Sequence, residues 1–243
     1  MASLHVPARF NGPPHSANGG WFAGRVAEEV DADVVTVRLR TPPPLDRDLA
    51  VLPASCAEGD AWGVQVWDGE PTAGSIVASA VPAAAEGLGD DVPPPVAFDV
   101  AQASGTAYEG LSDHPFPTCF TCGTARSDGL GLRPGRVPGG GGEYAATWVP
   151  VEVSGPIVWA ALDCPSGWSA GVSGRPMLLG TMTARVVELP AVGERCVVVA
   201  WPRGREGRRC PAASVLYGDD GRLLARAESI WVAVDPATVR PVA

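Results

Sequence analysis

Residues 153–168, VSGPIVWAALDCPSGW, decide how this chain folds. Ser154 and Gly155 carry helix-capping chemistry and Pro156 suits a first helical position. Ile157, Val158, Trp159, Ala160, Ala161 and Leu162 leave no polar face, so the helix must be buried on every side. Asp163 interrupts this run and Cys164-Pro165 follow it, a proline that predicts the helix to kink or end at about residue 164. A carboxylate at that point is a local cap, half of a buried pair, or a working group.

The segments around this helix repeat. A strand at 143–149 precedes it. Strands at 177–189, 195–201, 208–217 and 222–234 follow, the last two joined by Gly218-Asp219-Asp220-Gly221, a strong hairpin signal. The first part of the chain has the same order. A strand at 5–10 leads to Asn18-Gly19-Gly20, which opens a helix over 21–29, and strand-like runs follow at 34–40, 49–57, 61–68 and 73–81. Residues 82–104, rich in Ala, Pro, Gly and Asp, read as a linker. The plan is an internal duplication with little residue identity between copies. We divide it as an N-terminal module 1–100, a connector 101–142 and a C-terminal module 143–243. One helix lying in a curled antiparallel sheet satisfies each copy, and two such sheets can pair edge to edge.

Composition narrows the function. At 243 residues and 46% hydrophobic content the chain can bury a proper core. The net charge of −9 argues against nucleic acid as a partner. No run reaches the length of a membrane span, so no membrane partner is expected and the cytoplasm is the expected location. All basic residues are arginine.

This pattern resembles the hot-dog fold of the acyl-CoA thioesterase-like superfamily, in its tandem, double hot-dog arrangement, an α+β class. The residues that carry the resemblance are Arg208–Val234, which look like the family's closing hairpin, and the strand, turn and strand at 179–199 before it. The family commonly opens its central helix with a His-Gly-Gly-type turn and places a catalytic Asp or Glu about two helical turns on. Here Asn18-Gly19-Gly20 is the closer match to the turn, and Asp163 falls eight residues after Gly155. The resemblance implies an acyl-CoA or other acyl thioester as partner. It further implies Asp163 as base or nucleophile, facing the Asn18–Gly20 helix start across the two copies, where backbone N–H groups polarise a carbonyl. Thr181 is the candidate for a helping threonine, with Thr183, Glu228 and Ser229 as positional alternatives and no matching Gln. Gly155, Trp21, Arg208 and Arg209 are candidate substrate contacts, the arginines for the phosphates of coenzyme A unless they form a solvated turn. Pro156 removes an N–H from the second helix start. A homo-oligomer is expected, without a cofactor. The alternative is a hot-dog protein that binds acyl-CoA or an apolar ligand without turnover; a dehydratase would need an Asp and His pair that is not visible.

Cys119-Phe120-Thr121-Cys122-Gly123 fits structural thiols in a tight turn, half of a metal knuckle with His114 as a third ligand, or a redox pair. No metal is assigned on this evidence. Cys164 as a nucleophile would need one of His5, His15 or His114 brought from afar.

Overall fold

The computed structural model describes residues 2–55, 62–71 and 73–236. The ends of the strands expected at 49–57 and 61–68 that fall on 56–61 lie outside the described residues. The elements run β1 (Ala2–His5), α1 (Gly19–Ala27), β2 (Val35–Leu39), β3 (Asp48–Ser55), β4 (Trp62–Asp68) and β5 (Ser75–Pro82). They continue with α2 (Phe98–Ser104), β6 (Gly135–Arg136), β7 (Tyr144–Trp148), α3 (Gly155–Ser169), β8 (Met177–Val186), β9 (Cys196–Pro202), β10 (Arg209–Tyr217) and β11 (Leu223–Ala233). Among the described residues no helix is long and apolar enough to cross a membrane.

The strands of the described residues form one antiparallel sheet in the order β1-β3-β4-β5-β2-β8-β11-β10-β9-β7-β6. The duplication is visible strand by strand: β1-β3-β4-β5-β2 in the first half matches β7-β9-β10-β11-β8 in the second. The halves join edge to edge where β2 pairs with β8, Val35 opposite Ala184 through Arg38 opposite Thr181. A hydroxyl pair, Thr36 Oγ1 and Thr183 Oγ1 at 2.7 Å, adds to this seam. One core contains both helices and the inward residues of both half-sheets, among them Phe22, Val37, Val66, Leu162, Met182 and Leu224. The architecture is the tandem α+β plan, each half a sheet around one apolar helix.

Two features differ from the expectation. First, of the two outcomes expected at Pro165, α3 does not end there: it outruns the expected 155–164 and continues to Ser169, with Pro165 inside it. An interior proline leaves helix carbonyls short of donors. Here side chains supply donors around the break: the Thr121 hydroxyl donates to Ala160 O (3.2 Å), the Ser214 hydroxyl to Leu162 O (2.8 Å) and the Ser166 hydroxyl to Asp163 O (2.7 Å). Second, 82–104 is not a bare linker. It carries α2, whose Ala101 packs with Ala145, Val197, Val199, Val215 and Tyr217 on the sheet face opposite α3. The Tyr217 hydroxyl donates to Pro93 O (2.5 Å) and Arg226 Nη1 to Gly89 O (3.0 Å), which fastens the segment to the sheet. The second half-sheet is therefore covered on both faces, which explains the unbroken apolar run CVVVAW in β9.

The two helices cross closely. A Cβ on Gly24 would come within 2.6 Å of Pro156 Cα and 2.9 Å of Trp159 Cβ, and one on Gly20 within 2.7 Å of Trp159 O. Gly20 and Gly24 lie one turn apart and open α1 to the backbone of α3. Gly24→Ala gains roughly 1 kcal/mol in helix propensity yet must push two backbones apart. We expect net destabilisation of about 1–3 kcal/mol by overpacking. Gly87, around which a Cβ would meet nothing within 4 Å, should accept Ala without loss. Denaturant unfolding of the two variants beside wild type is the measurement.

Candidate functional site

Asn18 stands immediately before α1 with non-helical backbone (φ −59°, ψ 126°), and its side-chain Oδ1 accepts from the Trp21 N–H at 2.8 Å. That cap fixes the direction of the amide, so Nδ2 points away from the helix as a donor. It reaches Asp163 Oδ2 at 3.2 Å. The Gly20 N–H, one of the unpaired donors of the first helical turn, donates to the same oxygen at 2.9 Å. Asp163 thus sits on the positive end of α1, and α3 can bring it there because Gly20 has no Cβ: one placed there would collide with Asp163 Cβ.

The carboxylate is almost inaccessible, at 1% exposure, and its other oxygen, Oδ1, is buried with no hydrogen-bond partner. Burial pushes the carboxyl up to about 7, with the Gly20 N–H acting in the opposite direction. A carboxylate with one oxygen anchored and the other unpartnered keeps an acceptor for a proton.

Asp163 lines a cavity of about 260 Å3, with Asn18 and Gly19 beside it. The remaining walls are mostly apolar, among them Phe116, Trp168, Met177, Leu179 and Trp231. Gly19, first residue of α1, has an N–H without an intrahelical acceptor. The site therefore combines an acid, a helix start and an apolar chamber. Trp231 is held by its indole N–H donating to Ser166 Oγ (2.9 Å), and Gly167 lets it approach α3, since a Cβ there would lie 2.7 Å from the ring.

Three thiols share the same wall. Cys119, Cys122 and Cys164 are buried, line the cavity, and have sulfurs all within 4.8 Å of one another. Cys119 Sγ and Cys164 Sγ are 3.6 Å apart. Hydrogen bonds from the Cys122 and Cys164 thiols outweigh burial and hold the Cys119 thiol well below the ordinary cysteine range. The Cys164 thiol is pushed up, first by its contact with Cys119.

Asn18, Gly19, Gly20 and Asp163 are brought together; the other sequence candidates are not. Thr181 faces away from the chamber, grouped with Thr183, Arg203 and Glu228 on the outer side of the sheet. The reason is a bulge at Gly180. Trp231 pairs with Leu179 and Ile230 with Thr181, so the alternation switches there, and Met177 and Leu179 point in before the bulge, Met182 and Ala184 after it. Glu228 accepts from Arg203 Nη2 at 2.6 Å. Arg208 and Arg209 are exposed and are not among the cavity residues; Arg208 Nε donates to Ala233 O at 3.0 Å. Trp21 stacks on Phe10 with centroids 4.0 Å apart, in the core. Gly155 opens α3 next to Glu28, which is 43% exposed and paired with Arg25, so the duplication's second helix start faces no buried acid. His114 is not the third partner of the CxxC: its Nδ1 accepts from the Phe116 N–H (3.0 Å) and its Nε2 lies 3.1 Å from Cys122 O, which occupies both nitrogens. Cys164 takes that place. Its position one residue after Asp163, on a helix otherwise apolar, was the available signal.

No family model matches the chain, and comparison with curated proteins found no match. Solved structures do match across nearly the whole chain. A conserved hot-dog-fold protein of unknown function from Alicyclobacillus acidocaldarius is 14% identical, covers 99% of this chain and 93% of its own, and gives a TM-score of 0.55. The tesB protein of Mycobacterium avium subsp. paratuberculosis is 9% identical, with 96% and 91% covered and a TM-score of 0.58. An acyl-CoA thioesterase II of Mycobacterium marinum is 11% identical, with 92% and 93% covered and a TM-score of 0.55. The fold is therefore the hot-dog fold in tandem.

Asn18→Ala removes the α1 cap and one of the two donors to Asp163. We expect a loss of about 2 kcal/mol or more, beyond an ordinary cap deletion, because the buried carboxylate loses a partner as well. Asn18→Asp should cost at least as much although Asp is as good a cap, since it sets two carboxylates face to face. Thermal unfolding at neutral pH ranks the two variants.

Proposed function

We propose that the protein hydrolyses acyl thioesters, with Asp163 as the general base. The observation that carries this reading is the single carboxylate held at the start of α1, one oxygen bonded by Gly20 and Asn18 and the other unpartnered, on the wall of an apolar cavity. In the proposed step Asp163 Oδ1 takes a proton from water as the water oxygen attacks the thioester carbonyl carbon. The C–S bond then breaks and the proton passes to the departing sulfur. The Gly19 N–H and the dipole of α1 stabilise the oxyanion. Direct attack by the carboxylate, giving an anhydride that water resolves, uses the same placement.

The chamber suggests the acyl group. A cavity of about 150 Å3 lined by apolar side chains holds benzene. At about 260 Å3 this one takes a short to medium acyl chain or a single ring, with the carrier outside. A solved structure of the same fold named as an acyl-CoA thioesterase, and others named as putative thioesterases, support the choice of a thioester.

Two observations favour a second reading, binding of acyl-CoA or an apolar ligand without turnover. The Gly20 N–H is occupied by Asp163 and Thr181 is turned away, so the helping groups are fewer.

Hydrolysis of a panel of acyl-CoAs, short to medium and aromatic, followed by release of free thiol, decides between them. Wild type should turn over at least one member, and Asp163→Asn should lose about 10²–10⁴-fold in kcat with little change in ligand affinity. Binding by wild type with no thiol release would leave the second reading standing and remove the first.

A further inference from the structure

The thiol cluster is not used by the proposed hydrolysis, yet it is built with care. Cys119-Phe120-Thr121-Cys122-Gly123 folds into a tight knuckle, closed by the Gly123 N–H donating to Cys119 O at 2.9 Å. Gly123 is required there: a Cβ would fall within 2.6 Å of Cys119 N and of Pro117 O. The knuckle turns the backbone N–H groups of Thr121 and Cys122 onto Cys119 Sγ. Two side chains add donors from the helices. Asn18 Nδ2 lies 3.8 Å from Cys119 Sγ and 3.7 Å from Cys164 Sγ, and the Trp168 indole N–H donates to Cys122 Sγ at 3.5 Å. Donors aimed at the three sulfurs suit bound thiolates, and three thiolates can share a dry site only with a cation between them.

The spacing suits one. At a zinc–sulfur distance of about 2.3 Å, tetrahedral ligands have their sulfurs about 3.8 Å apart; Cys119 and Cys164 stand at 3.6 Å and all three sulfurs lie within 4.8 Å of one another. Soft thiolates select zinc over magnesium or calcium. We propose that Cys119, Cys122 and Cys164 form a zinc site, with the fourth coordination position left to a ligand from the cavity that all three line. Asn18, Trp168 and the knuckle amides are its outer shell, the groups that orient the sulfurs. This site borders the proposed hydrolysis site, sharing Asn18 and the cavity wall with it, and is tested by metal binding alone.

The test uses the full chain purified under reducing conditions without chelator, and zinc itself as the probe. The expected result is about one zinc per chain, replaceable by cobalt with thiolate-to-cobalt charge-transfer bands and the visible bands of a tetrahedral ion. Since outer-shell changes alone cost about 10–100-fold in metal affinity, Cys164→Ser should lose more than tenfold. Cys196→Ser, on β9 and outside the cluster, should bind as wild type. The proposal is overturned if reduced, chelator-stripped wild type takes up neither zinc nor cobalt, or if Cys196→Ser weakens binding as much as Cys164→Ser. Should Cys164→Ser fail to fold, the cobalt spectrum of wild type decides: charge transfer of three-thiolate intensity supports the site, and a spectrum without it refutes the site.

Discussion

The contact between Asp163 and the start of α1 is the constraint around which the molecule is arranged. A buried carboxylate is costly unless donors meet it. Asp163 is met by the Gly20 N–H and the Asn18 amide, both from the other copy of the duplicated unit. That contact requires the two helices to approach until only glycine fits at positions 20 and 24. The close crossing brings Pro156 and Trp159 onto α1 and leaves the far end of α3 to close the cavity with Trp168. A side chain at Gly20 would therefore disturb the helix crossing, the carboxylate's hydrogen bonds and the chamber wall together.

Duplication explains why two helix starts exist, and divergence explains why only one of them meets a buried acid. The strand orders of the halves match, and the β2–β8 seam joins them as one sheet. At the equivalent of the Asp163 contact, Gly155 meets Glu28, a half-exposed side chain tied to Arg25. Water screens that carboxylate, and Pro156 has removed an N–H from the helix start beside it. The halves also differ on their outer faces, where 83–142 adds a second layer to the C-terminal sheet and then delivers the cysteine knuckle to the inner side. The connector is thus a part of the core and of the cavity.

What could be read from sequence alone followed from local rules, and what could not depended on partners far along the chain. The helices and the order of elements along the chain were legible from local pattern, and the resemblance to the hot-dog fold set Asn18–Gly20 against Asp163, a contact the structure contains. The continuation of α3 through Pro165 was not, since Thr121 and Ser214, whose hydroxyls supply the carbonyls there, lie 39 and 52 residues from them. Thr181 was misplaced by one step of strand parity. A bulge at Gly180 reverses which side chains face the helix, and a glycine inside a strand was the available hint. Residues 82–104 looked like a linker because α2 is only seven residues long, although the unbroken apolar run of β9 already required a cover for its second face.

Asn18 shows how closely the parts are coupled. Ser, Thr and Asp all cap helices as well as or nearly as well as Asn. Only Asn offers an acceptor to the Trp21 N–H and, from the same rigid amide, a donor that does not titrate. That donor lies 3.2 Å from Asp163 Oδ2, 3.8 Å from Cys119 Sγ and 3.7 Å from Cys164 Sγ. A hydroxyl is too short to span the helix start and the cluster together, and a carboxylate would oppose both the acid and the sulfurs. The residue before α1 is therefore chosen by the cavity as much as by the helix it caps.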